Sequence, residues 1–144
     1  MADDIHYEAQ VAALPVKGKP GSYRVLLVTS RESRRWIIPK GWPMKGRKDH
    51  EAAAKEALEE AGVTGRIHKH PMGAYTYEKR TLEGTEHVRV MVYMLEVEKE
   101  SRHWPEKAER ERAWVTTKEA AQRVDEPGLT DIIMRLNVRP LDAI

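Results

Sequence analysis

The chain has 144 residues, with 25 Lys+Arg, 23 Asp+Glu and no Cys. That length suits one domain spanning 1–144, and 40% hydrophobic residues are enough for a core, which excludes wholesale disorder. The lack of cysteine excludes disulfides, thiolate metal sites and a cysteine nucleophile, and fits a reducing, cytoplasmic setting.

The longest apolar run, Val90–Leu95, is far shorter than the roughly 20 residues of a membrane-spanning helix. The acidic start Met1-Ala2-Asp3-Asp4 is unlike a secretory signal. A cytoplasmic protein with no membrane partner is the expectation. The formal net charge of +2 hides an asymmetry. Ten basic residues and one acid, Glu32, lie between Ala9 and Lys48, so the rest of the chain is strongly acidic. A block of this kind is either a solvated face or a surface that attracts polyanions.

In chain order, residues 10–16 and 23–30 are rich in Val and Leu and flank the turn cluster Lys17-Gly18-Lys19-Pro20-Gly21, which predicts a β-hairpin. Trp36-Ile37-Ile38 predicts a short strand ended by Pro39, and Lys40–Lys48 predicts a loop. Asp49 as cap, Glu51 in the first turn, a run of Ala and a stop at Gly62 predict a helix over 50–61. Strand-like sequence covers 66–80, with a bend at Pro71-Met72-Gly73, and resumes over 85–98 after a turn at Glu83-Gly84. A charged loop, 99–109, leads to a short strand at 112–115. Helices at 117–124 and 129–136 then follow, separated by Pro127-Gly128. This order lacks regular βαβ alternation and predicts an α+β fold.

Chemistry concentrates on the central helix. Glu56, Glu59 and Glu60 stand at i, i+3 and i+4, so all three share one face. Like charges so placed repel, and hard cations such as Mg²⁺, which take oxygen ligands, would offset that repulsion. Ala53, Ala57, Leu58 and Ala61 are expected to form the packed side.

The stretch Gly41-Trp42-Pro43-Met44-Lys45-Gly46-Arg47, continuing to Lys55-Glu56-Ala57-Leu58-Glu59-Glu60-Ala61-Gly62-Val63, resembles the Nudix box. That pattern is Gly, five residues, Glu, seven residues, then Arg-Glu-hydrophobic-x-Glu-Glu-x-Gly-hydrophobic. Gly73-Ala74-Tyr75, Trp104-Pro105-Glu106 and Trp114-Val115 are similar to the subgroup of diphosphoinositol polyphosphate and dinucleoside polyphosphate hydrolases. Two positions depart from the box: Arg47 stands in place of its first Glu, and Lys55 in place of its Arg. Lys55 keeps a charge but loses the planar fork of a guanidinium. Glu51 does not replace the missing acid, because five residues on a helix turn it roughly 140° from Glu56.

The resemblance implies a Nudix-like α/β/α sandwich with a mixed sheet, the box helix on one side and the C-terminal helices on the other. It implies Mg²⁺-dependent hydrolysis of a phosphoanhydride, with Mn²⁺ as a possible substitute. It also implies metal ligands at Gly41 (through its carbonyl), Glu56, Glu59 and Glu60, and catalytic roles for Glu59, Glu60 and Lys55. Lys40, Lys45, Arg47 and Lys48 are candidate substrate clamps in or beside the loop that feeds the helix, and Arg35, with Arg31 and Arg34 in the loop before the third strand, is a candidate second cluster. Glu106, Glu109 or Glu111 is a candidate extra carboxylate; His68 and His70 are a weaker metal candidate, and Trp42, Tyr75, Tyr77 and Trp104 are candidate stacking groups. The expected partner is a small polyphosphate, without nucleic acid, on a monomer or homodimer. Alternatives are a pyrophosphatase for nucleotide sugars or oxidised nucleoside triphosphates, and a non-catalytic nucleotide- or RNA-binding domain.

Overall fold

The computed structural model describes residues 4–137; Met1–Asp3 of the acidic N-terminus and residues 138–144 lie outside the described part. The chain runs β1 (Tyr7–Lys17), β2 (Arg24–Thr29), β3 (Trp36–Ile37), β4 (Lys40–Gly41), α1 (Asp49–Ala61), β5 (Val63–Ile67), β6 (Gly73–Thr81), β7 (Gly84–Glu100), β8 (Arg112–Thr116), α2 (Thr117–Arg123) and α3 (Pro127–Met134). A short 3₁₀ turn, Arg135–Asn137, ends the described chain.

All eight strands join one mixed sheet with the main order β3-β2-β1-β7-β5. Its centre is a long parallel pairing of β1 with β7, from Tyr7 opposite His87 to Val16 opposite Glu96. The predicted β1–β2 hairpin is present but narrow, since pairing is confined to Val16–Val25 and Lys17–Arg24. Beyond it β1 pairs instead with β4, placing Gly41 opposite Val11. Lys40 and Gly41 are therefore strand residues, where a loop was expected.

Alternation along β1 separates two apolar layers. Val11 and Ala13 face α1 and pack with its buried Ala52, Ala53, Ala57 and Ala61. Ala12, Leu14 and Val16 face the other way, toward Ala120, Ala121 and Val124 of α2 and Leu129, Ile132 and Ile133 of α3. The small alanine side chains let α1 lie close to the sheet. Leu58, expected among them, is 40% exposed instead.

Two boundaries differ from expectation for clear local reasons. The α1 cap is Lys48, not Asp49, because Glu51 folds back and accepts the Lys48 backbone N–H at 2.8 Å. Pro127-Gly128 opens α3 and does not precede it: Pro127 sits in the first turn, where a missing N–H costs nothing, and Gly128 lets the helix press on Tyr75. At the other end of α1, Gly62 takes φ +69°, and its N–H bonds the Leu58 carbonyl at 3.0 Å. Among the described residues, no helix is long and apolar enough to cross a membrane.

Candidate active site

The site forms where α1, β4 and the β7–β8 connection meet. Glu60 is buried, at 3% exposure. Its Oε2 accepts the Lys40 backbone N–H at 3.3 Å, whereas Oε1 is fully enclosed without a hydrogen-bond partner among the described residues. The nearest compensating charge is the Arg110 guanidinium, whose Nη2 lies 3.5 Å from Oε1. Glu56 stands beside Gly41 so closely that a Cβ on Gly41 would overlap its carboxylate. Glycine here is a requirement of space, since the β4 backbone and the α1 carboxylate occupy adjacent volumes.

Both carboxylates are shifted toward their neutral forms. Burial pushes Glu56 up to about 7, assisted by the neighbouring Glu59 and Glu106 charges. Burial likewise pushes Glu60 up to about 8; Arg110 opposes the rise, and Glu56 and Glu106 add to it. A cluster that resists ionisation in the bare protein suits a centre completed by external positive charge.

This has a measurable consequence for stability. The unfolded chain releases these protons near the ordinary value of 4.5, so between about pH 5 and 8 it is the folded state that holds the extra protons. Metal-free stability therefore falls as pH rises through that window. The carboxylates with lowered values, Glu51, Glu96 and Glu100, titrate below the window and do not mask the effect. Thermal unfolding in EDTA from pH 5.5 to 8.5 is expected to show a declining melting temperature, with stabilisation by added Mg²⁺ growing over the same range. A flat or rising metal-free profile would contradict the burial of these two groups.

The connection 101–111 folds back onto the end of α1. Trp104 lies 2.8 Å from where a Cβ on Gly62 would stand, its indole N–H donates to the Glu60 carbonyl at 3.0 Å, and the Glu106 N–H donates to the Glu59 carbonyl at 3.1 Å. This clasp brings Glu106 to the site, where Arg110 Nε holds its carboxylate at 2.8 Å. Arg110, with a side chain 8% exposed, also donates to the Thr29 carbonyl at 2.9 Å and so joins β2, the connection and α1. Sequence reasoning passed over Arg110, although its i, i+4 spacing from Glu106 was an available signal.

Other candidates fall in distinct places. Glu59 is at the mouth, with Lys55 Nζ 4.0 Å from its carboxylate. The half-buried Lys40 places its ammonium 5.2 Å from the centre of the Tyr77 ring, and burial pulls its pKa down. Tyr77 donates to Gln10 at 2.8 Å and shares a face of β6 with buried Tyr75, their rings 6.5 Å apart. Arg35 is held by Asp125 and Glu126, each at 3.0 Å. Lys45, Arg47, Lys48 and Trp42 are exposed. Arg47 lines a groove with Glu51, Lys55 and Leu58, on the flank of α1 away from Glu60. His68 and His70 lie just past the end of β5, and His68 shares a hydrogen bond with the Glu96 carboxylate at 2.7 Å. Glu109 and Glu111 lie beside Arg31 and Arg34, away from the buried pair.

Among the described residues, no three acidic or histidine side chains converge into a ready-made cage for a metal. The candidate donors are Glu56 and Glu60, the Gly41 carbonyl and, nearby, Glu59 and Glu106. They are hard oxygen ligands of the kind Mg²⁺ and Mn²⁺ take. The unpartnered Glu60 oxygen, with the Glu56 carboxylate near it, fits such an ion.

A family model described as NUDIX domain matches residues 6–136. Nudix hydrolase 12, mitochondrial, of Arabidopsis thaliana is 36% identical over 105 residues, covering 68% of this chain and 50% of that protein. Nudix hydrolase 16, mitochondrial, of the same plant is 32% identical over 117 residues, covering 77% of this chain and 63% of that protein. The chain thus spans between half and two thirds of the length of these relatives. The structure of a C. elegans Ap4A hydrolase binary complex matches with a TM-score of 0.64 at 19% identity, covering 89% of this chain and 93% of that one. The NUDIX domain of Shewanella oneidensis NrtR, complexed with ADP ribose, gives a TM-score of 0.64 at 14% identity, covering 90% and 88%. These two share the α+β fold, with its mixed sheet between the box helix and the C-terminal helices. On the match over 6–136, the chain belongs to the Nudix family.

Proposed function

We propose that the chain hydrolyses a phosphoanhydride bond in a highly phosphorylated small molecule, a dinucleoside polyphosphate or a diphosphoinositol polyphosphate, with Mg²⁺ as cofactor and Mn²⁺ as substitute. The observation that carries this reading is Glu60, a buried carboxylate beside a second one, with an oxygen left unbonded among the described residues. Such a group is costly to keep unless something completes it. Glu56, Glu60 and the Gly41 carbonyl would hold the cation, with Glu59 and Glu106 beside them. Bound there, it supplies positive charge against the phosphates and acidifies water.

The chain's own side chains do the rest. Glu59, more exposed than Glu60 and steadied by Lys55, is placed to accept the proton of the attacking water. Lys40 presents a cation over Tyr77 for a phosphate that is not cleaved, and Arg35 stands near it, oriented by Asp125 and Glu126. Tyr77 forms the aromatic wall of that side, with the buried Tyr75 ring behind it. The relatives' names, Nudix hydrolase and Ap4A hydrolase, accord with this class.

The test is phosphate release from a panel in Mg²⁺: a dinucleoside tetraphosphate, a diphosphoinositol polyphosphate, a nucleotide sugar and an oxidised nucleoside triphosphate. A preference of about tenfold or more in kcat/KM for the first two is expected, equivalent to about 1.4 kcal/mol of transition-state binding. Preference for the nucleotide sugar would overturn the substrate class. No release at all, with RNA binding that weakens steeply in salt, would overturn the hydrolytic reading.

A further inference from the structure

Arg110 is buried at the site, yet it is neither a candidate ligand nor a candidate clamp. Its guanidinium directs three nitrogens to three segments of the chain. Nε donates to Glu106 of the connection at 2.8 Å, Nη1 donates to the Thr29 carbonyl of β2 at 2.9 Å, and Nη2 faces Glu60 of α1 at 3.5 Å. The backbone beside it is fixed as well. The Thr29 N–H donates to the Glu111 carbonyl at 3.0 Å, and the Glu111 N–H donates to the Thr29 hydroxyl at 2.9 Å. A planar fork with fixed N–H directions can serve three such acceptors at once; a single ammonium cannot.

Glu106 needs this hold. It lies close enough to Glu56 and Glu60 for its charge to push both toward their neutral forms, so the three carboxylates repel one another. On the outer side stands the exposed Arg31, with Nε 4.0 Å from the same Glu106 oxygen that Arg110 holds. Repulsion from within and attraction from outside both turn Glu106 away from the site, and Arg110 opposes them. Lys55, at the arginine position of the box, does not share this task, because its ammonium stands 4.0 Å from Glu59.

We propose that Arg110 is a positioning residue for the cation: it keeps Glu106 beside Glu60 and so raises affinity for a metal ion, although it is itself positively charged. The proposal rests on the metal site described under the function above. The two roles open to such a cation have opposite signs. A positive charge that merely neighbours a metal site repels the ion, so its removal tightens binding. A residue that orients a ligand strengthens binding, and its removal costs affinity.

The test is Mn²⁺ binding to the metal-free full chain, read from the EPR signal of the free ion. The wild type is compared with Arg110→Met, Arg110→Lys, Glu106→Gln and the double variant Arg110→Met with Glu106→Gln. Arg110→Met is expected to weaken Mn²⁺ by about tenfold or more, the scale of losing the support of a ligand. Arg110→Lys keeps the charge without the fork, so it is expected to weaken Mn²⁺ too, and it carries the test if Arg110→Met does not fold. In the Glu106→Gln background, Arg110→Met is expected to cost less than about twofold further, because the two residues act as one unit. Thermal unfolding without metal identifies the variants that are folded at the titration temperature. Unchanged or tighter binding in Arg110→Met, or wild-type affinity in Arg110→Lys, would overturn the positioning role. Losses that multiply independently in the double variant would also overturn it, since Arg110 would then not act through Glu106. A wild type that binds no Mn²⁺ would overturn the cation reading itself, and this proposal with it.

Discussion

Glu60→Gln is expected to abolish nearly all hydrolysis while making the metal-free protein more resistant to unfolding at alkaline pH. The two effects have one cause. The carboxylate is buried with an oxygen unbonded, so burial favours its neutral form and holds it up to about 8. Above that pH the wild type keeps a desolvated charge that Arg110, 3.5 Å away, offsets only in part. Glutamine has the same shape without that charge, and its oxygen can still accept the Lys40 N–H. It is a poor Mg²⁺ ligand, however, and residues that merely support metal ligands already cost about 10–100-fold when removed. A kcat loss of at least about 100-fold is expected, together with loss of the Mg²⁺-dependent rise in melting temperature. Metal-free scans at pH 9 should place the variant above the wild type. Retained Mg²⁺ stabilisation would show that Glu60 does not hold the ion.

Gly41→Ala is expected to damage both stability and turnover, although it adds one methyl group. That methyl has nowhere to go: the Glu56 carboxylate occupies its place, with Cγ 3.2 Å away. Moving the backbone would break the β4–β1 pairing at Val11, and moving Glu56 would spoil the ligand set. Overpacking of this kind costs about 1–3 kcal/mol, and displacement of a reacting group by about 1 Å can cost about 10²-fold in rate. Thermal unfolding and kcat/KM should both fall. A double variant, Gly41→Ala with Glu56→Ala, should regain stability without regaining activity. Failure to regain stability would place the clash elsewhere.

Much of this site was readable because its rules are local. Glu56, Glu59 and Glu60 share a face through helical periodicity alone, and Gly62 ends α1 as its type requires. What was hidden depends on long-range return of the chain. Strand β1 finds its principal partner in β7, and no local pattern names that pairing. Trp104 and Arg110 reach α1 only because the 101–111 connection doubles back, joining residues more than 40 apart. Arg47 was the instructive case. It is close in sequence to Lys40 and Gly41, yet the turn at Gly46, with φ +80°, sends it to another flank of α1. Charge clustering in sequence therefore described two surfaces as though they were one. Arg35 belongs to the same block, but its charge is already answered by Asp125 and Glu126.

The parallel β1–β7 pairing also has a consequence for how the protein is made. Residues 7–16 must meet residues 87–96, which closes a loop of about 80 residues before the central sheet exists. Closure entropy grows only logarithmically with length, but such non-local pairing slows folding. As the chain leaves the ribosome, the whole carboxylate helix emerges well before β7. With net charge −4 over 49–62 and its alanine face uncovered, it has little to stabilise it alone. The carboxylate helix is thus fixed against the completed sheet only after β7 is synthesised, so a chain released early carries every box residue without their final arrangement.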